Sequence, residues 1–151
     1  MEPKIVHLPA FTVVGMKYRG KNDQNQIPQL WGQFVPRMGE IQHKAGEDAT
    51  YGVMYDFDEA TGAFDYVASL KVTQAADLPA GMVGVEVPAA QYAVFECTIP
   101  TIGPTYQQIQ AWIAQSEYEN AGTPDFECYG PGFDPQDPSS VMSIYMPIKE
   151  N

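Results

Sequence analysis

Phe11-Thr12-Val13-Val14 and Tyr92-Ala93-Val94-Phe95 stand 81 positions apart, and so do Gln29-Leu30-Trp31 and Gln110-Ala111-Trp112. One offset shared by a strand-like segment and a helix-like segment marks an internal duplication. Working outward, residues 5–8 and 11–18 read as two short strands separated by Pro9, a residue that central strand positions do not tolerate. Residues 20–26 are polar and read as a loop. Ile27-Pro28 opens a helix, since a proline near the first position loses an N–H that had no partner anyway. Leu30, Trp31, Phe34, Val35 and Met38 then keep helical spacing. Pro36 falls inside that run and predicts a kink or an end to regular hydrogen bonding.

After a polar loop running to Asp48, Tyr51, Val53 and Tyr55 alternate with Gly52, Met54 and Asp56 at the period of a strand. A strand resumes over 64–72 after the turn-rich Asp58-Glu59-Ala60-Thr61-Gly62, which makes a hairpin. The second half repeats the order. It has strands at 83–87 and 92–98 divided by Pro88, and a helix near 105–119 with Tyr106, Ile109, Trp112 and Ile113 on its buried stripe. Strands at 126–129 and 141–148 follow, joined by a loop rich in Pro, Gly and Asp. The chain of 151 residues, 44% apolar, can bury one sizeable core. We expect a single α+β domain over residues 1–151. Two tandem strand-helix-strand-strand repeats, about 1–78 and 79–151, place two main helices on an antiparallel sheet, with a ligand cleft between the repeats.

Nineteen Asp and Glu against eight Lys and Arg give a formal net charge of -11. Such a surface repels a phosphate backbone, so direct nucleic-acid contact is not expected. It also keeps a protein soluble and draws cations toward a cleft. Cys97 and Cys128 have no CxxC spacing, and His7 and His43 are the only histidines, so no metal or cofactor is expected. The cysteines read as small buried apolar residues, with a disulfide as the alternative, in a reduced, cytoplasmic protein. No stretch reaches about 18 uninterrupted apolar residues, and Met1-Glu-Pro-Lys lacks the start of a secretion signal, so neither a membrane span nor export is expected.

No nucleophile-base motif, paired-carboxylate signature or metal spacing is visible. Aromatic residues are instead concentrated in the strands. Period two puts Tyr51 with Tyr55, Phe64 with Tyr66, Glu127 with Tyr129, and Ser143 with Tyr145 on common faces. Glu127 interrupts the run Phe126-Glu-Cys-Tyr129 and faces either solvent or the interior. Facing inward, an ionised carboxylate without a partner is costly, so its pKa rises and a cationic ligand supplies what is missing. Tyrosine faces would add cation-π attraction. Glu86 and Glu96 also lie inside strands, and spacing alone does not choose among the three.

Phe11-Thr-Val-Val-Gly-Met, Tyr51-Gly-Val-Met-Tyr-Asp56, Phe64-Asp-Tyr66, Gln91-Tyr-Ala-Val-Phe95, Phe126-Glu-Cys-Tyr129 and Ile144-Tyr-Met-Pro-Ile-Lys149 occur in an order that resembles the gyrase-inhibitor-like effector-binding domains. That family also supplies the ligand-binding part of some AraC-type and MerR-type multidrug-responsive regulators. The likeness extends to stand-alone cationic drug-binding modules of integron gene cassettes. It runs from about Ile5 to Lys149. The resemblance implies a hydrophobic pocket in which a carboxylate on the penultimate strand meets lipophilic cations. Glu127 matches that carboxylate, Tyr129 lines the pocket beside it, Tyr145 adds an aromatic from the last strand and Tyr66 one from the first repeat. Tyr51, Tyr55, Phe64 and Ser143 complete the expected ligand-binding set. Ser143 stands where many relatives carry a second glutamate.

The expected role is a small-molecule-binding module for hydrophobic cations, without a DNA-binding domain of its own. It would be a monomer or homodimer and would sequester ligands or work with a partner regulator chain. Hydrolysis of cyclopropyl-type electrophiles and a gyrase-inhibitor-like protein-interaction role are the alternatives that the family implies.

Overall fold

Alternating branched and aromatic residues form β1 (Lys4–Leu8), β2 (Phe11–Gly20), β3 (Thr50–Tyr55), β4 (Phe64–Val72), β5 (Val83–Val87), β6 (Ala90–Thr98), β7 (Tyr118–Asn120), β8 (Asp125–Tyr129) and β9 (Val141–Glu150), with helices α1 (Gln26–Phe34) and α2 (Ile102–Gln115). The computed structural model describes residues 2–46 and 49–151. Asp48, the end of the expected polar loop, and Met1 lie outside the described residues. Pro36 acts as its chemistry requires: regular helix ends at Phe34, and a tighter turn over Val35–Glu40 follows.

All strands join one antiparallel sheet in the order β1-β6-β9-β8-β3-β4-β2-β5, with β7 added to β9. The two halves meet where β3 pairs with β8, Thr50 opposite Tyr129, Gly52 opposite Glu127 and Met54 opposite Asp125. The outermost strands are exchanged. β1 pairs with β6 of the second half and β5 with β2 of the first, so each half extends the sheet of the other.

Both helices cover one face. α1 buries Leu30 and Phe34 against Val14, Tyr66, Ala68 and Leu70. α2 buries Thr105 and Ile109 over Phe95, Met142, Ile144 and Ile148. The middle strands β3 and β8 lie between them.

On the opposite face, Val13, Tyr51, Val53, Val87, Tyr92 and Phe126 form a third cluster. β2 and β8 are three strand steps apart, about 14 Å in a flat sheet, yet the Phe11 and Phe126 rings lie 5.3 Å apart. The sheet therefore curls around this cluster.

The second helix departs from the expected 105–119. It begins at Ile102, because Thr98 and Thr101 form a reciprocal cap over the preceding turn Ile99–Thr101. It ends at Gln115, because β9 offers a partner. The Tyr118 N–H donates to Ser116 Oγ at 3.1 Å, and Tyr118 pairs with Glu150. No disulfide joins Cys97 and Cys128. Cys97 packs against Met142 in the second cluster, whereas Cys128 belongs to the third. Among the described residues, no helix is long and apolar enough to cross a membrane.

Phe126 is 1% exposed and touches rings from β2, β3, β6 and β9. Phe126→Ala is expected to lower stability by about 3–5 kcal/mol, read from urea unfolding. A loss below about 1 kcal/mol would show that the curl does not rest on this ring.

Candidate functional site

Three strands and a helix converge on one carboxylate. Glu127, on β8, is 6% exposed. Its Oε1 accepts a hydrogen bond from the Tyr129 hydroxyl on its own strand at 2.8 Å and another from the Tyr66 hydroxyl on β4 at 2.8 Å. Tyr66 reaches it across the intervening strand, which requires Gly52. A Cβ at position 52 would sit 2.0 Å from Tyr66 Oη and 2.9 Å from Glu127 Oε1. Trp31 Nε1, on α1, donates to Tyr66 Oη at 2.9 Å and fixes the phenol so that its proton points at the carboxylate. The indole also packs edge-on to Tyr129, with centroids 5.5 Å apart.

Burial pushes the Glu127 carboxyl above its ordinary value, and the bonds from Tyr129 and Tyr66 partly offset that rise. Among the described residues, no Lys, Arg or His forms an ion pair with it. Asp65 gives the contrast within the same sheet. That buried carboxylate, whose neighbours Val67 and Ser69 flank the opposite face, is met by Arg19 at 3.1 Å and Lys17 at 3.5 Å. The fold provides cations for Asp65 and none for Glu127.

Beside this cluster, a cleft of about 330 Å³ opens between the halves. Met54, Phe57 and Phe64 form its first-half wall, and Tyr106, Gln110, Asp125 and Met146 its second. Asp125 shares a strand face with Glu127. Burial raises its carboxyl to about 7, the nearby Glu127 adds to the rise, and Tyr106 Oη stands 3.5 Å from it. Tyr106 is held well above the usual phenol value by burial and then by Glu127 and Asp125. Among the described residues, no group of three or more His, Cys, Asp or Glu could hold a metal.

The structure separates the residues expected to act together. Glu127, Tyr129 and Tyr66 meet, while Phe64 and Tyr55 line the cleft. Tyr51, Tyr145 and Ser143 do not join them. Phe126 pairs with Tyr145, and Cys128 with both Tyr51 and Ser143, so these three side chains stand on the face opposite Glu127. Tyr145 stacks on Phe126 at 4.6 Å in the third cluster. This corrects the expectation of a single pocket, because a register one residue different would have been needed to bring them round. Glu86 and Glu96 are exposed, which leaves Glu127 as the buried carboxylate of the three. Trp31, Gly52, Tyr106 and Asp125 were not singled out from the sequence. Only the Gly52 interruption of an aromatic strand gave a local signal for any of them.

Residues 4–148 match the family model described as integron-associated effector binding protein. The chain belongs to that family. It is 40% identical over 152 residues to the transcriptional regulator BrlR of Pseudomonas aeruginosa, an alignment that takes in 98% of this chain and 56% of BrlR. The chain thus spans little more than half the length of that relative. Two solved structures share the fold. SAV2435 bound to tetraphenylphosphonium superposes with a TM-score of 0.76 at 23% identity, covering 99% of this chain and 94% of the other. An integron cassette protein from Vibrio cholerae gives 0.64 at 21%, covering 98% and 96%. Proteins of this family are effector-binding proteins.

Glu127 and Asp125 bind their protons more tightly folded than unfolded. The native state therefore carries excess protons between the ordinary and raised values, and stability falls as pH rises through that window, which runs from 3.8 to about 7 for Asp125. Urea unfolding at about pH 4 and pH 8 should show a smaller loss for Glu127→Gln than for the natural chain. Equal losses would contradict an uncompensated Glu127.

Proposed function

We propose that this chain is a binding module for hydrophobic cationic small molecules, with Glu127 as the partner of the positive charge. The observation that carries the reading is a buried carboxylate that, among the described residues, is hydrogen-bonded to phenols alone, in a sheet that pairs another buried carboxylate, Asp65, with Arg19 and Lys17. An ionised group in that setting costs several kcal/mol, which a cation within the cleft offsets. Phe57, Phe64 and Tyr106 present ring surface to the cleft, each worth about 0.5–2 kcal/mol to a desolvated cation. Tetraphenylphosphonium, the ligand bound by SAV2435, is a compound of this class.

The site reads as one for binding, since Glu127 Oε1 is occupied in holding two phenols. The net charge of -11 argues against contact with phosphates by this domain itself. Sequestration, or signalling through a partner regulator chain, fits that charge.

Calorimetric titration with tetraphenylphosphonium and with neutral triphenylphosphine oxide tests the reading. Glu127→Gln should weaken the cation by about tenfold or more, equivalent to about 1.4 kcal/mol, and the neutral analogue much less. For the natural chain, cation affinity should rise with pH as the carboxyls ionise. An equal effect of the substitution on both ligands would remove the charge role.

A further inference from the structure

We propose that Asp125 forms a second anionic subsite two residues along β8 from Glu127, so that the cleft prefers flat aromatic dications whose charges lie about 6–7 Å apart. The inference rests on the reading of Glu127 as a cation partner and adds the spacing and number of charges in the ligand.

Asp125 and Tyr106 line the open cleft, and Glu127 lies outside that lining but close enough for its charge to act on both of them. Side chains two apart on a strand face the same way, separated by about 6–7 Å along it. The one side-chain hydrogen bond to Asp125 comes from Tyr106 Oη and is long, at 3.5 Å. Among the described residues, no cation pairs with it, and none of the residues lining the cleft is Lys, Arg or His. Among the described residues, buried Glu127 and half-buried Asp125 of one face therefore lack counter-charge, while Asp65 has two cations.

A singly charged ligand offsets one carboxylate and leaves the other to keep its proton. A rigid dication of matching length offsets both. Between them the cleft offers mainly apolar and aromatic surface, from Met54, Phe57, Phe64, Tyr106 and Met146, which suits a planar biaryl.

The test uses 1,1'-dimethyl-4,4'-bipyridinium and its singly charged counterpart 1-methyl-4-phenylpyridinium, titrated calorimetrically at about pH 8 into the natural chain, Asp125→Asn, Asp125→Ser and Glu127→Gln. The natural chain should bind the dication about tenfold more tightly than the monocation. Both Asp125 variants should reduce that ratio to near one, and Glu127→Gln should weaken both ligands. Titration of the natural chain at about pH 6, where Asp125 still holds its proton, in buffers of different ionisation enthalpy should show more protons released by the dication. An unchanged ratio in the Asp125 variants, with the monocation still dependent on Glu127, would overturn this inference alone. Failure of the natural chain to bind either probe, or tetraphenylphosphonium, would overturn the cation-binding reading with it.

Discussion

The antiparallel pairing of β3 with β8 is the constraint on which the rest depends. It is the seam where two similar halves become one sheet, and its register sets Gly52 opposite Glu127. Without that glycine, the phenol of Tyr66 has no path over β3 to the carboxylate. Without the seam, α1 and α2 would not flank a shared strip of sheet. The same register sends Phe126 and Tyr51 to the other face, where the third cluster curls the sheet and holds the strip in place.

Glu127 is the point at which stability and binding oppose each other. Two phenolic donors lessen the cost of its charge, and hydrogen bonds to an ionised group are worth about 1.5–3 kcal/mol each, but they bring no positive charge. Asp65 shows what full compensation looks like in this chain. A carboxylate held by neutral donors beside an open aromatic cleft is a site prepared for a charge from outside. The halves contribute unequally. The first gives Trp31, Gly52 and Tyr66, which orient and make room, and the second gives both acids, Asp125 and Glu127.

Much of the architecture was legible in the sequence because it follows from period and punctuation. The repeat offset, the prolines between short strands and the helical spacing around Trp31 and Trp112 each have a local cause. Glu127 was legible as an interruption of an apolar strand, although its direction was not. Period two groups residues within a strand but does not say which face of one strand matches which face of the next. That is why Tyr145 and Ser143 were grouped with Glu127 and stand behind it. Register is a property of paired strands, fixed by packing across the sheet. Asp125 and Tyr106 carry no site role in the sequence for a related reason. One lies at a strand end and the other on a helix, and only tertiary approach makes them a pair.

The most direct measurement is the titration of the Glu127 side chain itself, by carbon NMR of carboxyl-labelled glutamate with Glu127→Gln to assign the resonance. In the empty protein the midpoint should lie above the ordinary 4.5 and should fall when tetraphenylphosphonium binds. A midpoint at or below 4.5, unmoved by the cation, would contradict Glu127 as its partner.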